Sequence, residues 1–324
     1  MHMILNRLKR RLARYPFAVK LKRRLDETLG FSAHLSKLTH ANLEQVDRSV
    51  IEKKMMTYWT KDLGVSERTT RDWLAAALNF DRFGFDVEQI KRRFGSLSGK
   101  LVADIGCGWG SFLLLLQREG ALLDACDLAA IHVEVAQLRV PQAHVIRADA
   151  RSLSALASER FDFVLEHDVF EHIGDYAGDT GPIGKTYQDK LVNLRELRRI
   201  MKPGGRGFLS TGNFHFPYNG EVHLWFLHWF PFEHQQRYLQ SLGLNSDRYW
   251  LCTWPQIEQL FAEARLRIDE VFTPPHDVES LKNTIMDLMK GYARANHVFG
   301  DILHELMSTK PEYMPSWMIF FSRA

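Results

Sequence analysis

The chain has 324 residues, 45% hydrophobic and 25% charged, a globular balance that excludes wholesale disorder. Its longest purely aliphatic run, Leu113 to Leu116, falls far short of the roughly 20 apolar residues that a membrane-crossing helix needs. Three cysteines without CxxC spacing (Cys107, Cys126, Cys252) exclude a disulfide framework and a zinc site. With no apolar signal-peptide core at the N-terminus, they point to the cytoplasm.

The net charge of +3 hides an asymmetry. Nine of the 42 basic residues lie within 1–24, which hold no acid, so the remaining 33 face 39 acidic residues. An acidic body argues against nucleic acid as a partner. The leader reads as two short basic helices broken at Pro16, with Ile4, Leu5, Leu8 and Leu12, then Phe17, Leu21 and Leu25, at helical spacing. Such helices bind anionic membrane surfaces, so peripheral contact through 1–24 at the inner face of the membrane is one expectation. Packing against the rest of the chain is the other.

Helices are predicted over 40–63, over 66–80 with Ser66 as N-cap, and over Asp86–Phe94. From residue 100 short apolar runs alternate with helical segments. Strands are expected at Leu101–Ile105, Leu122–Asp127, His144–Ile146, Phe161–Leu165 and Gly207–Ser210, with helices from Ser111, from Ile131 and over Lys185–Met201. Pro203 reads as the end of that last helix, and Gly204-Gly205 as the turn into the next strand. A helix over Pro255–Ala264, a strand over Leu266–Phe272, two helices over 277–309 and a strand over Trp317–Ser322 complete the chain. The pattern predicts an α/β fold, divided into a helical extension (1–95) and a sheet domain (96–324). The domain carries an aromatic-rich insert (213–254) and a helical insert (277–309).

Where the first strand meets its helix, the sequence reads Asp104-Ile105-Gly106-Cys107-Gly108-Trp109-Gly110. Glycines there let a ligand approach the backbone, and the helix N-terminus offers free N–H groups. A dinucleotide site wants a third glycine at the position held by Ser111, and Asp104 places a carboxylate where a pyrophosphate would be repelled. S-adenosylmethionine carries an ammonium and a sulfonium, which tolerate that charge.

These residues resemble the first motif of the class I (Rossmann-like) S-adenosylmethionine-dependent methyltransferases. Asp127 and Leu128 resemble the end of that family's second strand, Arg147-Ala148-Asp149-Ala150 its third-strand loop, and Phe161-Asp162-x-Val164 through Glu171-His172-Ile173 its fourth-strand motif. Leu197-x-x-Ile200-x-Lys202-Pro203-Gly204-Gly205 resembles the turn before its fifth strand. The resemblance implies a seven-stranded, mostly parallel, doubly wound sheet. It implies cofactor contacts from Asp104, Gly106, Cys107, Gly108, Gly110, Asp127, Leu128, Asp149, Ala150 and Glu166. In the family the acid in the place of Asp127 holds the ribose hydroxyls, and the one in the place of Asp149 accepts from the adenine amino group.

Methyl transfer to oxygen or carbon uses a base, and histidine has a suitable pKa. His167 and His172, near the end of the fourth strand, and His215 and His223, in the insert after the fifth, are the candidates. Apart from His223-x4-His228 no metal-ligand spacing appears, and no metal is expected. Twelve aromatics fall within 213–254, where the 12% average predicts about five. Such faces stack on sugars or line a channel for a lipid chain. With a faint resemblance to methyltransferases of bacterial surface-polysaccharide synthesis, this favours O-methylation of a sugar or lipid-linked glycan. A quinone or polyketide-like small molecule is the alternative acceptor, and a non-catalytic cofactor-binding scaffold the alternative function.

Overall fold

A computed structural model describes residues 48–78, 80–174, 183–216, 218–219, 224–225, 227–230, 232–241, 250–274, 304–305 and 307–323. The predicted leader helices of 1–24, His223 and nearly all of the predicted helical pair of 277–309 lie outside them. The chain divides into two compact units, Met1–Leu43 and Glu44–Ala324, so the helices of 48–94 belong to the same unit as the sheet.

That unit opens with α1 (Arg48–Thr57), which widens into one π turn (Tyr58–Asp62), then α2 (Glu67–Ala77) and α3 (Phe80–Phe94). There follow β1 (Leu101–Ile105), α4 (Ser111–Arg118), β2 (Leu122–Asp127), α5 (Ala130–Arg139), β3 (His144–Arg147) and β4 (Phe161–His167). Next come α6 (Ile183–Ile200), β5 (Met201–Gly212), and a small hairpin of β6 (Tyr218–Asn219) and β7 (Leu224–Trp225). The rest is α7 (Phe232–Ser241), α8 (Trp254–Glu263), β8 (Leu266–Phe272) and β9 (Ser316–Arg323).

Seven strands form one sheet in the order β3-β2-β1-β4-β5-β9-β8, and only β9 runs against the others. Both faces are covered. On one, Ala103, Ile105, Val164, Leu209 and Phe321 pack with Leu191, Leu194 and Leu197 of α6 and Ile257, Leu260 and Phe261 of α8. On the other, Phe94 of α3 stacks on Phe163, and Phe83 and Phe112 enclose His167. Burial on both faces is why the strands read as apolar runs. The order reverses between β1 and β4, and a ligand crevice belongs outside the carboxyl ends of strands at such a switch.

Three expectations need correction. Helix α3 begins at Phe80, not Asp86, because Phe83 has an aromatic pocket against Phe112 and His167 that offsets the helix cost of Gly84. The predicted 40–63 helix turns into the π turn at Tyr58, where Leu63 N–H donates five residues back to the Tyr58 carbonyl at 3.1 Å. Residues 203–205 do not precede β5. Met201 already pairs with Phe161, and the register shift between Phe161 and Phe163 places Lys202–Gly205 in a bulge within the strand.

Candidate active site

The carboxyl ends of β1 and β4 meet at the glycine loop, whose three glycines serve three purposes. Gly106 (φ +76°) has no room on its Cα, because an added Cβ would lie 2.2 Å from Val169 Cγ2, just after β4. Gly110 lets α5 approach, with the Ala136 Cα 2.9 Å from where a Cβ would sit. Gly108 (φ +49°) alone faces open space, nothing lying within 4 Å of such a Cβ. Gly108 is the glycine that leaves room for a ligand. Cys107 is buried beside it, and burial, with the charge of Asp104, raises its thiol well above the ordinary range.

Asp104 is buried at the end of β1, and its Oδ2 has no hydrogen-bond partner among the described residues. Burial, and secondarily the charge of Asp127, push it up to about 7. Asp127 ends β2 in a different state. Its Oδ2 accepts the Gly108 N–H at 2.9 Å, and its Oδ1 accepts the Ala129 N–H at 2.9 Å and faces His132 Nδ1 at 3.1 Å. Burial opposes the charge, but the His132 hydrogen bond and charge and the two backbone donors hold it below the ordinary carboxylate range. An orphaned buried carboxylate oxygen, an ionised neighbour and an open glycine suit a ligand with a cationic group and hydroxyls, as S-adenosylmethionine has. They would repel a pyrophosphate.

The other cofactor candidates are placed as follows. The Leu128 carbonyl accepts from Arg147 Nε at 2.9 Å, and the Ala150 carbonyl from Asn193 Nδ2 at 3.2 Å. Asp149 is gripped by Arg151, whose Nε and Nη2 reach both carboxylate oxygens at 2.7–3.1 Å and hold the acid below its usual range. Glu166 is fully buried on the α6 face, where its Oε2 accepts from Asn193 Nδ2 at 3.1 Å while Oε1 lacks a partner among the described residues. Burial pushes it up to about 8. Glu166 and Asp104 flank the switch point from opposite faces of the sheet.

The histidines separate. His167 Nε2 lies 2.6 Å from Asp86 Oδ2 of α3, and the ring is enclosed by Phe83, Phe112 and Phe208. Its side chain is more than nine-tenths buried, and its Nδ1 lies 3.6 Å from Asp168 Oδ2. Asp168, next along, has φ +52°, and its Oδ1 accepts the Ser210 hydroxyl at 2.6 Å while its N–H donates back to Ser210 Oγ at 2.9 Å. A left-handed non-glycine residue held this way stores strain at the crevice rim. His172 is half-buried in a 3-10 turn on the same rim, its N–H donating to the Val169 carbonyl at 2.8 Å. His215 is exposed, its N–H capped by Asn213 Oδ1 at 2.9 Å, and Asn213 Nδ2 ties that loop to the carbonyls of Glu312 and Met314. Phe216, Leu227 and Leu239 are buried, whereas Trp229 and Phe230 are exposed. Among the described residues no group of three His, Cys, Asp or Glu side chains could hold a metal ion.

Sequence reasoning missed His132. It stands in the first turn of α5, five residues after the acid that ends β2, and that spacing was the available signal.

Residues 103–209 match a family model described as a methyltransferase domain. Ubiquinone biosynthesis O-methyltransferases are among the relatives. That of Leptothrix cholodnii is 32% identical over 129 residues, 38% of this chain and 49% of that protein. That of Xanthomonas oryzae pv. oryzae is 34% identical over 121 residues, 36% and 45% respectively. The chain therefore spans about half the length of these relatives. Among solved structures, a putative sarcosine dimethylglycine methyltransferase from Galdieria sulphuraria aligns over 79% of this chain and 88% of its own, with 15% identity and a TM-score of 0.45. Geranyl diphosphate C-methyltransferase from Streptomyces coelicolor aligns over 74% and 76%, with 12% identity and a TM-score of 0.46.

Proposed function

We propose that this chain, whose residues 103–209 form a methyltransferase domain of the class I type, is an S-adenosylmethionine-dependent methyltransferase acting on a hydroxyl of a small molecule. The carrying observation is the pairing of Asp104, a buried carboxylate with an orphaned oxygen, with Asp127, an ionised one, across the open Gly108. The sugar or lipid-linked acceptor drawn from the aromatic insert has less support, because the relatives are named for ubiquinone biosynthesis.

When bound, S-adenosylmethionine supplies a methyl group activated by sulfonium. Asp104 would lie toward the cationic end, Gly108 would leave the space, and Asp127, with one acceptor site still open, would take a ribose hydroxyl. Asp149 and the backbone at Leu128 and Ala150 would serve the adenine side, with Glu166 behind them on the α6 face. What remains is alignment of the acceptor, exclusion of water and removal of the hydroxyl proton. His172, half-buried just after β4, is the residue we assign to that proton, with the exposed His215 as the second candidate. A charge-based membrane contact through residues 1–24 remains part of the proposal. No helix among the described residues is long and apolar enough to cross a membrane.

Calorimetry with S-adenosylhomocysteine tests the site. Asp127→Ala should weaken binding by roughly 1.5–3 kcal/mol, the scale of hydrogen bonds to a charged acceptor. Transfer of labelled methyl from S-adenosylmethionine to a phenolic metabolite of the host extract tests the reaction. His172→Ala should slow it about 10²–10⁴-fold with cofactor affinity unchanged. Binding without any turnover would leave only a cofactor-binding scaffold.

A further inference from the structure

Asp127 does not act alone. Its Oδ1 is shared by the Ala129 N–H and His132 Nδ1, and its Oδ2 is taken by the Gly108 N–H, so one carboxylate ties the glycine loop to the first turn of α5. A carboxylate has about four acceptor sites, and three are engaged, which fixes the direction of the fourth.

The imidazole is itself held in place. The His132 ring lies edge-on to Trp109 of the glycine loop, with centroids 4.3 Å apart, and to Tyr58 of the π turn, 6.2 Å away. Tyr58 also meets Trp109 at 5.8 Å, and Trp59 meets it at 5.1 Å. Lys54 Nζ reaches Glu134 Oε1 at 2.6 Å, a second tie from α1 to α5. The π turn brings two consecutive aromatic residues against the loop, as widened turns do at functional sites.

We propose that His132 is a cofactor-positioning residue. It fixes the Asp127 carboxylate, whose one open acceptor site would take a ribose hydroxyl, and is itself held by Tyr58 and Trp109, so the helices before the sheet contribute to cofactor affinity. This rests on the reading of the crevice as an S-adenosylmethionine site. His132 is also the strongest influence keeping Asp127 ionised against its burial.

S-adenosylhomocysteine titrations of the full chain separate the possibilities. His132→Phe keeps the ring and removes the donor, whereas His132→Asn keeps a donor at the Nδ1 position. We expect His132→Phe to lose about tenfold or more in affinity and His132→Asn to stay within about threefold of wild type. In an Asp127→Asn background the Phe substitution should add little further loss, because the two act as one unit. Tyr58→Ala should weaken binding as well, and ligand-free melting temperatures show whether any loss is mere unfolding. Equal affinities for wild type and His132→Phe, or equal losses for the Phe and Asn variants, would overturn the proposal and leave the cofactor site intact. Unchanged affinity in Tyr58→Ala would overturn the contribution of the helices. A wild-type protein that does not bind S-adenosylhomocysteine would overturn the site and the proposal together.

Discussion

Asp86 Oδ2 of α3 lies 2.6 Å from His167 Nε2 at the end of β4, with both side chains about nine-tenths buried. The pair joins the helices before the sheet to the strand at its centre, and removing Asp86 leaves His167 Nε2 without its acceptor, while Nδ1 keeps Asp168 Oδ2 at 3.6 Å. Asp86→Ala should therefore lower stability by about 1–3 kcal/mol in denaturant unfolding. The Asp86→Leu/His167→Leu double variant should recover much of that loss. Cofactor affinity should follow the folded fraction and nothing more, which distinguishes this histidine from His132.

Two neighbouring glycines should answer alanine differently. At Gly106 the new Cβ meets Val169, so overpacking of about 1–3 kcal/mol adds to a left-handed φ penalty of about 1–2 kcal/mol. Adding Val169→Ala should relieve part of the loss. At Gly108 only the φ penalty applies to the fold, and the principal loss should be in S-adenosylhomocysteine affinity. Melting temperature and calorimetry on the same samples separate the two effects.

Stability should fall with rising pH between about 6.5 and 8. Burial raises Glu166 from 4.5 to about 8 and Asp104 from 3.8 to about 7. Over that interval the folded chain holds protons that the unfolded chain has released, so the folded state loses ground as they leave solution. The penalty levels off above the folded values. His228, which burial lowers from 6.5, acts in the opposite sense but only below 6.5. The depressed carboxylates Asp127, Asp149 and Glu196 act only in acid. Glu166→Gln should flatten the slope of melting temperature against pH across this window, and an unchanged slope would place its proton affinity near the ordinary value.

Much of this arrangement was legible in the residues. Strands buried on both faces announce themselves as apolar runs, and Asp104 to Gly110 marks the switch point because only glycine tolerates those φ values and contacts. What escaped depends on long-range contact. Gly84 argues locally against a helix that Phe83 secures by reaching α4. The bulge at Lys202–Gly205 reads as an ordinary turn until Met201 is seen paired with Phe161. His167 shows the limit most clearly. With Val164 and Glu166 facing α6, alternation turns His167 to the far side of β4, yet nothing in the sequence says that Asp86, 81 residues earlier, waits there. The helix-to-helix contacts that hold Tyr58 against His132 are invisible for the same reason.

The placement of β9 bears on how the molecule can fail. Strand β8 joins the sheet only through β9, which follows it after 43 intervening residues yet occupies an interior position with Trp317, Ile319 and Phe321 fully covered. Undocking this single strand would strand β8 and bare the whole hydrogen-bonding edge of β5, from Arg206 to Gly212. An open edge of that length invites the same strand of another copy. A chain that lost β9 would be open to reciprocal strand exchange at the antiparallel end of its sheet, remote from the glycine loop, and two chains could be linked there without altering a residue of that loop.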